Sequence, residues 1–406
     1  MSDSLRTAGL KEGSTRPAWR SFLELGFRPL YLAGCLWAAV SVAVWMYAPQ
    51  FLDGFMPGVV WHAHEMLWGF IATIAVGFLL TAAGTWTGIN PLSGRPLAAL
   101  TLLWLMARVG YLTQTLSGFA VAVACELAFF AWAAGALARV ICVARSQRNY
   151  GIPVLVLSLG IADVLYLRAA WKGDYAVLLE RFNIGLWCMA VIALLIARRV
   201  IPFFAMRAVP NLHIQMHTRS GQFQVGAVVL AIASGLLQLT TLAAGALVVA
   251  AVIGLAQFLA WRPWAVRHKP ILWILYVGYA ALSVGLLVAA AHSLGWIVRT
   301  AWPTHVLGVG GFSVLIIGMV TRTAMGHLGR PLQTDHSMVI SYVLVIAAAT
   351  LRLLALVPTA VSFMALQLAT AMWMLAFAIY LWRFVPMMIR PRVDASPAPT
   401  VVSTNR

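Results

Sequence analysis

The stretch VVWHAHEMLWGF (59–70) sets two histidines, His62 and His64, and one glutamate, Glu65, at the start of a long apolar run. Ionisable groups are costly beside a membrane interior, and where they persist they mark function. Imidazole is the commonest metal-ligating side chain and also holds haem iron. Two residues on a regular helix lie about 200° apart, at 3.6 residues per turn. His62 and His64 therefore cannot both face inward from one regular helix. Either the helix starts between them or they serve different sites.

A second segment, WPTHVLGVGGF (302–312), repeats this pattern. Trp61, His64 and Gly69 fall on Trp302, His305 and Gly310 at a single offset of 241 residues. The tetrapeptide GRPL follows both segments, at 94–97 and 329–332. Two same-direction spans with matched residues predict an internal parallel repeat, and such repeats build sites at their interface. His64 and His305 are then expected at similar depth on two helices. That placement suits two axial ligands of one haem iron or two ligands of a copper ion. His62 and His292 lie on the same side, so the candidate metal ligands are His62, His64, His292 and His305. Arg108, Arg299 and Arg352 are candidate partners for haem propionates through charge-assisted hydrogen bonds. Glu65 is the candidate proton donor or acceptor, with pairing to an arginine such as Arg108 as its structural alternative.

The other five histidines read as cytoplasmic. His213 and His217 are four apart and share a face if that loop is helical; a solvated pair is an equal expectation. His268 and His336 carry no further signal. His327 lies in TRTAMGHLGRP (321–331), whose arginines and glycines could grip an anion, a propionate or a neighbouring loop.

The elements that must position these groups are membrane helices. The chain has 406 residues, 62% of them hydrophobic and 10% charged. Many apolar runs reach the length needed to cross a bilayer. The fold class expected is all-α, a polytopic membrane protein with about twelve spans. They are expected near 29–48, 64–84, 97–114, 119–141, 152–170, 182–204, 222–242, 244–261, 271–292, 303–321, 336–356 and 361–384. A basic N-terminal segment (1–28) precedes one transmembrane domain (29–385), and a C-terminal tail (386–406), read as disordered, follows it. No cleavable signal peptide of the usual layout is apparent in the first residues. The four cysteines, Cys35, Cys125, Cys142 and Cys188, lie in apolar runs without paired spacing, which predicts neither disulfides nor a zinc site.

The net charge of +17 excludes little by itself. Arginines and lysines crowd alternate loops, for example Arg145 and Arg148, Arg198 and Arg199, and Arg262, Arg267 and Lys269. By the positive-inside rule those loops and both termini are cytoplasmic. The basic excess is thus assigned to topology and to lipid head groups, not to nucleic acid. Arg108, Arg168, Lys172, Arg181, Arg299 and Arg352 break the trend near the opposite ends of spans; they are either functional or snorkelling to lipid phosphates.

WHAHEMLWGF, GFLLTAAGTWTG (77–88), SGRPL (93–97) and TRTAMGHLGRP, with FRPLYL (27–32) and RRVIPFF (198–204), together resemble the NnrS family across almost the whole chain. The resemblance implies a multi-pass protein of the bacterial inner (plasma) membrane that contains haem, of b type, and copper. It also implies a role in the nitric oxide response and in relief of nitrosative stress. Conversion of nitric oxide by such a protein would be an oxidoreductase activity, with quinol or another donor supplying electrons. No C-x-x-C-H motif for covalent haem occurs. The architecture is also similar to the catalytic subunit of haem–copper oxidases, but span 6 lacks a copper histidine and span 10 lacks a His-x-His pair. The alternative from a different class is a transporter of copper, haem or a small solute.

Overall fold

The computed structural model describes residues 17–113, 115–215 and 218–393. Among them every regular element is helical. After a short turn at Trp19–Phe22 come twelve helices of 19 residues or more: α1 (Phe27–Tyr47), α2 (Gly58–Thr87), α3 (Gly94–Leu112), α4 (Leu116–Val143), α5 (Gly151–Lys172) and α6 (Tyr175–Ala208). The second six are α7 (Thr218–Leu236), α8 (Thr240–Ala260), α9 (Pro270–Ser293), α10 (Ala301–His327), α11 (His336–Leu354) and α12 (Ser362–Met388). Ten of them are long and apolar enough to cross a bilayer. The other two, α3 and α7, have 19 residues each but carry polar groups within their length, Arg95 and Arg108 in α3 and Arg219, Gln222 and Gln224 in α7. The chain is a multi-pass helical membrane protein.

Neither α2 nor α10 is α-helical throughout. In α2 the turn Gly58–His64 gives way to a π-helix at Glu65–Ala72 before α-helix resumes at Thr73. In α10 the turn Ala301–His305 gives way to a π-helix at Val306–Ser313. The two π segments start and end at the same offset of 241 residues that aligned the histidines. π-Helix is rare and concentrates at functional sites because its wider turn leaves carbonyls without their usual partners. Here side chains take up those carbonyls. Thr73 Oγ1 donates to the Gly69 carbonyl at 2.9 Å, and Trp104 Nε1 donates to the same oxygen at 3.1 Å. In α10, Ser313 Oγ donates to the Gly308 carbonyl at 2.8 Å.

The same offset carries α1–α4 approximately onto α9–α12 by residue range. The parallel repeat therefore extends from two spans to four helices. Within each unit the first helix packs on the second and the third on the fourth. Helices α5–α8 connect the units, and α12 closes the bundle on α1. Trp373 Nε1 donates to the Ala38 carbonyl at 2.7 Å, and buried Arg28 donates from Nη1 to the carbonyls of Met388 (2.9 Å) and Arg390 (2.7 Å). The outward faces carry exposed apolar residues such as Val109, Val121, Val154, Val252 and Leu375, as expected for surfaces in contact with lipid. All four cysteines are free thiols.

Candidate functional site

Five helices send a polar side chain to one buried point. His64 and Glu65 come from the α-to-π junction of α2, Arg108 from α3, Glu126 from α4, Asp163 from α5, and the Trp37 indole from α1. His64 Nδ1 lies 2.9 Å from Glu65 Oε1, and His64 Nε2 lies 2.9 Å from Asp163 Oδ1 and 3.3 Å from Glu126 Oε2. Arg108 bridges the acids: Nη1 donates to Glu65 Oε2 at 2.7 Å and Nη2 to Glu126 Oε1. Trp37 Nε1 also donates to Glu65 Oε2, at 2.5 Å. His64, Glu65, Arg108 and Asp163 are wholly buried and Glu126 nearly so.

Local sequence explains how so many groups fit. A Cβ at Gly69 would stand 2.6 Å from Glu65 Oε2 and 2.9 Å from Trp37 Nε1, and would strike the Arg108 guanidinium as well. Only glycine leaves that seat open. The rings of Trp68, Tyr111 and Tyr166 pack around His64 at centroid distances of 5.4, 4.8 and 6.0 Å, and Arg108 lies over Trp104 and Tyr111. Three carboxylates meet one guanidinium here. The cluster is short of two positive charges with His64 neutral and of one with His64 protonated. Burying uncompensated charge costs several kcal/mol. His64, Glu126 and Asp163 each offer one ligand atom, all within 4.8 Å of one another. Glu126 Oε2 and Asp163 Oδ2 have no hydrogen bond of their own. A divalent cation held by these three, with His64 neutral, would bring the cluster to neutrality.

The second site is a cavity of about 350 Å³ between the two π segments. His62 from α2, His305 from α10 and Arg352 from α11 line it, among mainly apolar walls that include Trp45, Phe70 and Trp373. His305 Nδ1 donates to the Ala301 carbonyl at 2.7 Å, which fixes the tautomer and leaves Nε2 free. His62 stacks on Trp45 at 4.3 Å, and its Nδ1 has no hydrogen-bond partner. A free imidazole nitrogen from each of two helices, an arginine and apolar walls fit a haem or a metal ion.

The structure thus separates the two histidines of HAH: His62 faces the cavity and His64 the ion cluster. The repeat-matched pair His64 and His305 occupies two different sites. His62, His305 and Arg352 come together; His64, Glu65 and Arg108 come together elsewhere. His292 ends α9, where Nδ1 bonds the Ile297 carbonyl at 2.6 Å, and it lines neither site. Arg299 Nη1 donates to the Leu356 carbonyl at 2.6 Å and is likewise outside both. His213 is exposed, beside the Asn211 carbonyl, and His217 lies outside the described residues. Glu126 and Asp163 were not singled out by the sequence reading. Their signal was available: each is the single acid within its apolar helix, in CELAFF and GIADVLY.

No curated protein matches the chain. A family model described as NnrS protein matches residues 21–392, nearly the whole of it, and the chain belongs to the NnrS family.

Proposed function

We propose that this chain is a haem- and copper-containing protein of the bacterial inner membrane that handles nitric oxide and protects against nitrosative stress. In this reading all twelve long helices span the bilayer, both termini are cytoplasmic, and the histidine-bearing ends of α2 and α10 lie toward the outer side. The observation that carries the reading is the cavity shared by His62 and His305. Family membership supports the same conclusion.

His62 and His305 would hold the haem iron, and Arg352 would pair with a propionate. His64, Glu126 and Asp163 would hold copper as Cu(II), for which nitrogen and oxygen donors are suitable. A haem held there would supply iron chemistry toward nitric oxide, with one of the two histidines giving way to it. The residues supply the rest. The Ala301 carbonyl orients His305, and Trp45 orients His62. The apolar walls admit a small neutral molecule from the bilayer and keep water out. Glu65 Oε1 and His64 Nδ1 lie within hydrogen-bond distance, 2.9 Å, which makes Glu65 the proposed proton relay should the reaction be a reduction. Quinol or another external donor would supply electrons.

The test is a reduced-minus-oxidised absorption spectrum of purified protein, with and without nitric oxide, together with metal analysis. Wild type is expected to show a b-type signal that shifts with nitric oxide and is lost in H62A and in H305A. Copper is expected to fall in E126Q and D163N while the haem signal stays. Absence of both cofactors from the wild type would sink the proposal. One observation favours transport instead: a second cavity opens at the far end of α10, around Arg322 and His327. Metal or haem uptake by reconstituted vesicles, with no tightly held cofactor, would establish that reading.

A further inference from the structure

The cavity at the far end of α10 has a chemistry of its own. It measures about 510 Å³ and is walled by the C-terminal parts of α2, α6 and α10 and by the turn before α5. Arg322 lies 17 residues beyond His305, about 25 Å along a helix at 1.5 Å per residue, so the two cavities are at opposite ends of the bundle.

Three cations converge on it: Arg148, Arg199 and Arg322, with His327 beside them. Among the described residues no carboxylate lines this space or pairs with any of the three. The acids of neighbouring segments are engaged elsewhere, Glu24 with Arg28 and Asp335 with Arg383. Arg322 is the sharpest case. It is 6% exposed, its guanidinium carbon sits 3.6 Å from the Phe204 ring centroid, and its Nε has no hydrogen-bond partner. Arg199 is held in place by Asn149 Oδ1 (2.7 Å) and the Arg148 carbonyl (3.2 Å), yet its Nε is also unpaired. A buried guanidinium is costly unless an acceptor meets it, and three like charges around one space raise the cost. Cation–π contact with Phe204 offsets part of this without supplying a counter-charge.

We propose that this cavity binds an anionic group, phosphate or carboxylate, either free or carried on an amphipathic molecule. Arg148, Arg199 and Arg322 meet the charge through bidentate, charge-assisted hydrogen bonds. Phe78, Trp86 and Phe203, which line the same space, take the apolar body. Such a group comes either from an acidic phospholipid or from a free anion, and both present the same oxygens.

The experiment measures binding to full-length purified protein, delipidated in neutral detergent, by thermal shift and native mass spectrometry. The probes are inorganic phosphate, dioleoyl phosphatidylglycerol and, as the uncharged-surface control, dioleoyl phosphatidylcholine. Wild type is expected to bind at least one anionic probe and to prefer phosphatidylglycerol over phosphatidylcholine. The apparent Kd should weaken about tenfold or more in R322Q, as loss of a charge-assisted contact implies. R148Q changes an exposed residue and so tests the site without threatening the fold. R322K should recover part of the affinity. Binding of phosphatidylglycerol alone identifies the lipid source; binding of inorganic phosphate identifies a free anion. Equal affinity of wild type, R148Q and R322Q for both anionic probes would overturn the proposal. Haem content does not enter this readout, so failure here and failure of the haem reading are separable.

Discussion

Tyr166 stacks on His64, ring centroids 6.0 Å apart, and the same ring lines the cavity shared by His62 and His305. One side chain thickness therefore divides the ion cluster from the cavity. Its hydroxyl donates to the Val60 carbonyl at 2.8 Å, which holds the ring across the gap. Tyr166→Phe keeps the wall and loses one hydrogen bond, at about 0.5–1.5 kcal/mol. Tyr166→Ala removes the wall and admits water to the acids. The check is carbodiimide labelling of Glu126 and Asp163 read by mass spectrometry. Labelling should rise in Y166A and stay at the wild-type level in Y166F.

The ion cluster should respond unequally to loss of its cation and of an acid. Arg108→Gln leaves Glu65 and Glu126 facing each other without a counter-charge, a loss of about 3–5 kcal/mol for a broken buried pair. Asp163→Asn removes a negative charge from a cluster that has too many, and its amide can still accept from His64. Thermal unfolding in detergent of metal-free protein should therefore place R108Q far below wild type and D163N close to it. The reverse order would contradict the charge count.

The two repeat-matched glycines are predicted to differ sharply. Gly69→Ala drives a methyl group into Glu65, Trp37 and Arg108. The nearest atom to a Cβ at Gly310 is Ala281 Cβ at 3.7 Å, an ordinary contact. G69A should lower stability by about 2 kcal/mol or more through displaced buried ion pairs. G310A should stay within about 1 kcal/mol of wild type, in either direction, because alanine is favoured over glycine in helices. Midpoints of thermal unfolding for the two variants decide this.

Among the basic residues and histidines near the cavity, only those lining it should matter for haem. Arg352→Gln is expected to weaken haem retention about tenfold or more, the effect of one charge-assisted hydrogen bond. His292→Ala and Arg299→Gln should retain wild-type haem, because those side chains bond the carbonyls of Ile297 and Leu356 instead. Titration of haem into each purified variant, read by absorbance, distinguishes them.

Much of the fold was legible because bilayer length and apolar composition leave few alternatives. Runs of apolar residues marked all twelve long helices, and the 241-residue offset of three residues located the repeat. The pairing of functional groups was less legible. The matched offset suggested that His64 and His305 act together, but an offset fixes depth along a helix and not the direction a side chain points. The π turns do not separate the pair, since each begins directly after its histidine at the same offset; the neighbouring helices that receive each side chain do. Asp163 and Glu126 were overlooked for a related reason. A lone acid in an apolar run is itself a signal, but what it pairs with is set by the helices alongside, here α2 and α3.

The π segments also give the chain a tolerance that an ordinary membrane helix lacks. Deleting one residue from an α-helix turns everything beyond it by about 100°, which would swing a lipid-facing stripe into the bundle. In Glu65–Ala72 or Val306–Ser313 the same deletion can be absorbed by a wide turn tightening to α, leaving the remainder of α2 or α10 in phase. Each half of the repeat thus carries one residue of slack directly beyond its histidine. Changes of length there would re-aim the groups around the sites while the outer surface of the bundle stays as it was.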